Sequence, residues 1–168
     1  MHPNLRIFVN LDTFVNWDVL ELLNSIKKLR EQTGLSVSDI KHALEEAGGD
    51  QAKALKILRS HGHKIAEKRA SRTTGEGVVE SYIHINKKIG AIVVLNCETD
   101  FVAKNPEFQA LAHDLAMQIA SMAPENLDEL LAQPFIKNQD IVVKELIDEY
   151  IAKLGENIRI GDFARFQI

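Results

Sequence analysis

Five consecutive apolar residues, Ala91-Ile92-Val93-Val94-Leu95, constrain the fold of this chain more than any other stretch. Three of the five are β-branched, which favours an extended strand. Because successive side chains of a strand point to opposite faces, this strand would be apolar on both faces. We therefore predict a central strand that is either covered on both faces, or covered on one face and used for contact on the other.

The segments around this run predict a small antiparallel sheet. Val78 to Ile85 is rich in β-branched residues, and the polar turn Asn86-Lys87-Lys88 separates it from the apolar run. Residues 77–98 are therefore expected to form a β-hairpin. A final strand from Ile158 to Ile168 is expected to bend near Gly161 and to pair with the hairpin.

A long helix is predicted from Pro106, because proline is favoured in a first helical turn and Asn105 can cap it. We expect this helix to cover the hairpin with apolar residues at helical spacing: Phe108, Leu111, Ala112, Leu115, Ile119 and Met122. A short helix over 126–132, a loop over 134–140 and a last helix from Asp140 to Gly155 are expected to follow.

Residues 25–62 predict three short helices, each beginning at a capping residue and ending at glycine: Ser25 to Gly34, Ser36 to Gly48-Gly49, and Asp50 to Gly62. With Gly34-Leu35-Ser36 and Gly48-Gly49-Asp50 at its joins, this part resembles a ubiquitin-associated-type (UBA-like) module, a general protein-binding platform. A helix-turn-helix DNA reader is the competing interpretation. The acidic residues Glu45 and Glu46 lie among the basic side chains that would have to contact DNA, and this disfavours the DNA-binding interpretation.

These patterns divide the chain into four parts. Residues 1–24 form an N-terminal extension, which could be a strand, a helix over 16–23 or a segment packed on something else. Residues 25–62 form the UBA-like module, 63–76 a basic linker, and 77–168 an α+β core domain of dimerisation type. The predicted fold class is therefore α+β, with a three-helix module followed by a three-stranded antiparallel sheet packed with helices.

Composition narrows the function classes. The net charge of −4 does not indicate a direct nucleic-acid partner. No apolar run approaches the ~20 residues that a membrane helix requires. Cys97 is the single cysteine, so no internal disulfide can form, which agrees with a reducing compartment such as the cytoplasm.

The sequence shows no catalytic constellation and no cofactor motif, so we predict a non-enzymatic protein without cofactor or metal. Cys97 lies in an apolar strand and is expected to be a buried, inert thiol. His61 and His63 are too few for a metal site. His84, His113, Cys97 and Asp100 could meet in space, but each also fits a strand face or helix surface. A protein-binding role is the remaining expectation.

The connection Thr99-Asp100-Phe101-Val102-Ala103-Lys104-Asn105 joins the apolar strand to the helix from Pro106. It places a carboxylate beside a large aromatic residue, where small turn-forming residues would be usual. Two interpretations remain open from residue types alone. Either Phe101 folds back into the core and Asp100 caps a helix, or both side chains contact a partner.

Four stretches, in this order, resemble the elongation factor Ts family: Leu29-Arg30-Glu31-x-Thr33-Gly34, Gly49-Asp50, Asn96-Cys97-Glu98-Thr99-Asp100-Phe101-Val102-Ala103-Lys104, and Gly155-Glu156-Asn157-Ile158. The resemblance implies a cytoplasmic guanine-nucleotide exchange factor that binds elongation factor Tu during translation elongation. It implies that Asp100 and Phe101, with Thr99 and Val102, intrude beside the partner's magnesium and phosphate site.

The resemblance also implies that the N-terminal module docks on the partner through Arg30, Val37 and Ser38. The family often has a Met pair at 37–38 and basic residues at Gly161-Asp162, so this chain departs from it twice. The span from Pro124 to Asp140 is too short for the second sheet subdomain and coiled coil of many members, and short members work as homodimers. The alternative function is a general protein-binding module that acts through its UBA-like domain.

Overall fold

The structure is a computed structural model that describes residues 19–168. Its helices are α1 (Val19–Thr33), α2 (Val37–Glu46), α3 (Gln51–Arg69), α4 (Asp100–Ala103), α5 (Pro106–Met122), α6 (Leu127–Ala132) and α7 (Val143–Leu154). Its strands are β1 (Glu76–Ile83), β2 (Ile89–Cys97), β3 (Pro134–Phe135), β4 (Asn138–Val142) and β5 (Arg159–Gln167). The α+β class is confirmed. The prediction for the N-terminal extension falls largely on residues outside the described part.

The chain divides into two compact units between Leu58 and Arg59. The first unit contains α1, α2 and the beginning of α3, and its core consists of Leu29, Ile40, Ala43, Leu44, Ala54 and Leu58. The caps predicted for α2 and α3 are confirmed. Ser36 Oγ accepts a hydrogen bond from Asp39 N (3.1 Å), and Asp50 Oδ1 accepts from Lys53 N (3.0 Å). The assignment of 25–62 and 63–76 as separate domains stays a prediction.

The predicted start of the first helix at Ser25 is wrong. Ser25 lies inside α1, is 3% exposed, and its hydroxyl accepts a hydrogen bond from Gln51 Nε2 (2.9 Å). Leu22, upstream of Ser25, packs against the core, so the apolar face of the helix begins before the proposed cap. The serine hydroxyl satisfies a tertiary polar contact and caps nothing.

The predicted end of the third helix at Gly62 is also wrong, because α3 continues to Arg69. A glycine in a helix interior costs only about 1 kcal/mol relative to alanine. The position does not require glycine, since a Cβ on Gly62 would lie 3.8 Å from Ala152 Cβ, an ordinary van der Waals distance. Ile65 and Ala66 add burial beyond Gly62, so packing outweighs the helix-breaking tendency.

The second unit contains a three-stranded antiparallel sheet in the order β1-β2-β5. The apolar strand β2 is central, as predicted, and β5 pairs with it. The register shifts between Val93, opposite Phe163, and Leu95, opposite Ile160, so β5 is irregular at Gly161-Asp162. The first strand ends at Ile83, not at the predicted Ile85, because the turn already begins at His84, whose carbonyl oxygen accepts a hydrogen bond from Lys87 N (2.8 Å).

One face of the sheet is covered by α5, as predicted. The buried side chains of β2 that pack in the core are Ala91, Val93, Leu95 and Cys97, and those of α5 include Phe108, Leu111, Leu115 and Ile119. Met122, the last predicted stripe residue, is 43% exposed, since α5 ends there. In the described structure the opposite face of the sheet is open, so only one face of β2 is covered.

Residues 134–142 form a second hairpin, β3-β4, and the predicted loop and helix start at Asp140 are both wrong. Gln118 of α5 is fully buried, and its side-chain amide donates to Pro134 O (3.1 Å) and accepts from Ile136 N (2.8 Å). This buried amide orders the hairpin, since its polar atoms require partners there. Helix α7 then begins at Val143, and the Glu145 carboxylate accepts from Val142 N (3.1 Å).

Candidate functional site

The connection after β2 forms α4, a single helical turn anchored on one side. Thr99 is its N-cap, and its hydroxyl oxygen lies 3.5 Å from Val102 N. Ala103 is buried, and Val102 packs against the core. Asn105 then caps α5 through its Oδ1 and Glu107 N (2.8 Å), as predicted. The turn therefore has a fixed inner side and an outer side that carries Asp100 and Phe101.

Phe101 is 82% exposed, more than any other aromatic residue of the described chain. Burying a phenylalanine is worth about 1.5–3 kcal/mol, so an aromatic ring left in water forgoes that stabilisation. Of the two interpretations left open by the sequence, the one in which Phe101 enters the core is excluded by this geometry. Asp100 does not cap the turn either, because Thr99 does.

The carboxylate of Asp100 is half exposed and forms an ion pair with Lys104 Nζ at 2.7 Å. The ammonium donates a hydrogen bond to Asp100 Oδ2, which lowers the pKa of this carboxyl and raises the pKa of Lys104. The outer side of α4 therefore presents an apolar ring next to a carboxylate that stays ionised below the ordinary aspartate range.

Replacing Lys104 by methionine should raise the pKa of Asp100 toward the ordinary value, because the hydrogen bond and the positive charge are both lost. In the wild-type protein the pair is intact above the ordinary aspartate pKa and is lost as the pH falls through the lowered value. Titration of the Asp100 carboxyl carbon by NMR measures this. Lys87→Met, in the β1–β2 turn, is the matched control. An identical Asp100 titration in Lys104→Met would refute the assignment.

A second acid, Glu156, contacts the same connection from the segment between α7 and β5. Its Oε2 accepts hydrogen bonds from Glu98 N (3.1 Å) and Thr99 N (3.0 Å), and its Oε1 accepts from the Thr99 hydroxyl (2.6 Å). Glu156 belongs to the stretch Gly155-Glu156-Asn157-Ile158 that resembles the family, but no role was predicted for it, and it lies 57 residues beyond Thr99. No local signal could have found this contact.

The four residues predicted at this site therefore differ in what they offer. Asp100 and Phe101 point outward, whereas the Thr99 hydroxyl is used internally and Val102 packs against the core. Of these four, only Asp100 and Phe101 have exposed side chains that can contact another molecule directly, and the Asp100 carboxylate is paired with Lys104. Thr99 and Val102 position the turn that carries them.

The residues predicted in the N-terminal module lie in the first unit. Arg30 of α1 and Val37 of α2 line a shallow groove together with Leu23, Ile26, Lys27 and Glu31. Val37 is 44% exposed. Ser38 is exposed on α2 but does not line the groove. The structure thus brings together two of the three predicted residues.

Cys97 and His63, the candidate reactive thiol and one of the candidate metal ligands, are both in contact with other residues of this protein. Cys97 is buried, and burial together with the nearby Glu156 charge raises the pKa of its thiol to about 11. His63 lies between Asp148 (2.8 Å) and Glu67 (3.3 Å). Within residues 19–168 no group of three or more potential ligands could hold a metal ion. None of the helices in that range is long and apolar enough to span a membrane.

The chain is similar to proteins of one family over most of its length. The family model described as Elongation factor TS matches residues 98–168, which contain α4 and Glu156. Elongation factor Ts of Carboxydothermus hydrogenoformans is 44% identical over 188 residues, covering 85% of this chain and 87% of the relative. The Thermotoga petrophila protein of that name is 41% identical (87% and 95% covered), and that of Synechococcus sp. strain JA-3-3Ab is 42% identical (84% and 66% covered).

Proposed function

The chain belongs to the elongation factor Ts family of translation elongation factors, and we propose that it binds elongation factor Tu and promotes the release of GDP. The observation that carries this proposal is the 82% exposed Phe101 beside the half-exposed Asp100 carboxylate. A side chain of this size, presented on an anchored turn, is suited to insertion into another protein. The protein acts in the cytoplasm as a non-enzymatic factor without cofactor or metal.

The proposed mechanism assigns different tasks to the two side chains. The ring of Phe101 inserts between packed elements of the GTPase near its magnesium and phosphate site and displaces them. The Asp100 carboxylate, ionised at neutral pH, disturbs the water and ion network around the magnesium. When the GTPase loses contacts to magnesium and phosphate, its affinity for the nucleotide falls, because charge-assisted hydrogen bonds are stronger than neutral ones.

Exchange of this kind is a coupling between two ligands of the GTPase. If the factor weakens GDP binding by some ratio, GDP weakens binding of the factor by the same ratio. Couplings of about 1–3 kcal/mol are typical, which corresponds to about 5–150-fold in affinity. The factor need not perform any covalent step, which agrees with the buried, high-pKa thiol of Cys97.

The N-terminal module supplies a second contact in this proposal. Arg30 and Val37 border the groove between α1 and α2, with Ser38 exposed beside it. The combination of an apolar groove and a guanidinium at its edge suits docking on a complementary protein surface. Docking there raises the effective concentration of α4 at the nucleotide site.

The assay of this function is the release of fluorescent GDP from the cognate elongation factor Tu in an excess of unlabelled nucleotide. The wild-type protein should accelerate release with a dependence on concentration that saturates when the partner is fully bound. Release at the intrinsic rate at every concentration of this chain would contradict the proposal.

We further propose that the protein is a homodimer through the open face of its sheet. This face exposes large apolar side chains on all three strands: Val79 (71%), Ile83 (63%), Ile92 (42%) and Phe166 (65%). Contiguous exposed apolar surface on a soluble protein is typical of an interface. A second copy fits it best, since a two-fold symmetric dimer pairs the same patch with itself.

Replacing Ile92 by lysine, at the centre of this face, should dissociate the dimer, because the ammonium group would be buried without a partner. Light scattering should give twice the 18.8 kDa of one chain for the wild type and a single chain for the variant. Ile136→Lys, in the β3-β4 hairpin, is the control and should remain dimeric. A monomeric wild type at micromolar concentration would refute this part of the proposal.

A further inference from the structure

We propose that Glu156 is a positioning residue for Asp100 and Phe101, acting through the backbone of residues 98–99 without touching the partner. This inference rests on the proposed exchange function, since it assigns a role within that same site. In physical terms, the direction of the exposed Phe101 ring depends on the carboxylate of Glu156, which lies far away along the chain.

The contacts of Glu156 converge on the backbone between β2 and α4. Its two carboxylate oxygens accept three hydrogen bonds, from Glu98 N (3.1 Å), Thr99 N (3.0 Å) and the Thr99 hydroxyl (2.6 Å). Hydrogen bonds to a charged acceptor are about twice as strong as neutral ones. One side chain thus determines the conformation of the two residues that precede the Asp100–Phe101 pair.

A reciprocal bond connects the same two segments in the opposite direction. The Glu98 carboxylate accepts from Asn157 N (2.6 Å), the neighbour of Glu156. Asn157 is 2% exposed, and its side-chain amide donates to Arg72 O (2.8 Å). The segment 156–157 is therefore itself fixed by the structure around it. Glu156 is therefore adjacent to a residue that is held in place by buried contacts.

Phe101 depends on this support because it has little packing of its own. With 82% of its surface exposed, its orientation follows from that of α4. Val102 and Ala103 anchor the inner side of the turn, and Glu156 anchors its start. Without the acid the start of the turn would sample more conformations, and binding would have to restrict them. A preorganised contact avoids that entropy cost.

The test combines exchange kinetics with hydrogen exchange of the full-length chain. Glu156→Ala should lower the maximal rate of GDP release about ten-fold, the rate change that corresponds to about 1.36 kcal/mol in activation free energy. Glu156→Gln, which retains an acceptor oxygen, should recover part of it. Glu125→Ala, an exposed glutamate before α6, should behave as wild type. In the free variant Glu156→Ala, the Glu98 and Thr99 amides should exchange with solvent at least ten-fold faster.

A double-mutant cycle separates positioning from general stability. If Glu156 acts through Asp100 and Phe101, Glu156→Ala should cost about ten-fold in the wild-type background and almost nothing in a background that carries both Asp100→Ala and Phe101→Ala. Equal losses in both backgrounds, or a maximal rate within two-fold of wild type for Glu156→Ala, would overturn the proposal. If the wild-type protein does not accelerate GDP release from elongation factor Tu, the proposed exchange function is wrong. Unchanged exchange of the Glu98 and Thr99 amides in Glu156→Ala would separately show that Glu156 does not order the turn.

Discussion

Replacing Phe101 by alanine should lower the maximal rate of GDP release at least ten-fold while the free energy of unfolding changes by no more than about 0.5 kcal/mol. The ring is 82% exposed, so its removal takes little apolar surface out of the folded core. The same exposure makes it available to the partner, where buried aromatic residues provide much of the binding energy. Stopped-flow GDP release and urea denaturation, on the same variant, measure the two quantities.

Phe101→Leu is the graded control for this experiment. Leucine retains an apolar side chain of smaller volume, so the release rate should fall between those of wild type and Phe101→Ala. Two results would contradict the account. A loss of several kcal/mol in stability would place the ring in the core, and an unchanged release rate would favour the alternative of a general protein-binding module.

Phe108→Ala should destabilise the protein by about 3–5 kcal/mol, the cost typical of removing a buried aromatic ring. Phe108 is fully buried in the first turns of α5, within the core that covers β2. Its loss leaves a cavity among close-packed neighbours that relax only in part. Urea denaturation should show a lower midpoint with an unchanged m-value.

The two phenylalanines form a matched pair, seven positions apart, with opposite exposure. Phe101→Ala should lower the rate of GDP release with almost no change in the free energy of unfolding. The main effect of Phe108→Ala should be a lower free energy of unfolding. A loss below about 1 kcal/mol in Phe108→Ala would contradict the packing described for α5 and the sheet.

Local patterns predicted the elements whose signals lie within a few residues. The caps Ser36, Asp50 and Asn105 were found because a capping side chain bonds a backbone N–H two or three positions away. The central position of β2 followed from its unbroken apolar run. The sheet, the covering helix α5 and the α+β class could therefore be predicted from local patterns of capping residues and apolar residues.

The incorrect predictions have tertiary causes. The β3-β4 hairpin depends on the buried amide of Gln118, which lies on another element. Helix α3 continues through Gly62 because Ile65 and Ala66 pack in the core beyond it. Neither a buried polar contact nor the tertiary packing beyond a glycine can be found by counting apolar residues along the chain.

The candidate site could be predicted only in part. The sequence placed Asp100 and Phe101 together, but the direction of the ring depends on how the turn α4 is anchored. That anchoring comes from Thr99 and Glu156, and the glutamate is 57 residues away from its partner. The resemblance to the family identified the pair, and the structure adds that Phe101 is exposed and Val102 is packed inward.

The central claim is that this chain distinguishes two states of its partner. Isothermal titration of the wild-type protein into nucleotide-free elongation factor Tu, and into the GDP–magnesium form, measures this most directly. We expect the wild-type protein to bind the nucleotide-free form at least about ten-fold more tightly than the GDP–magnesium form. The ratio of these two affinities should be smaller for Phe101→Ala. Equal affinity for both forms would contradict the account, because a ligand that binds two states equally cannot shift the equilibrium between them.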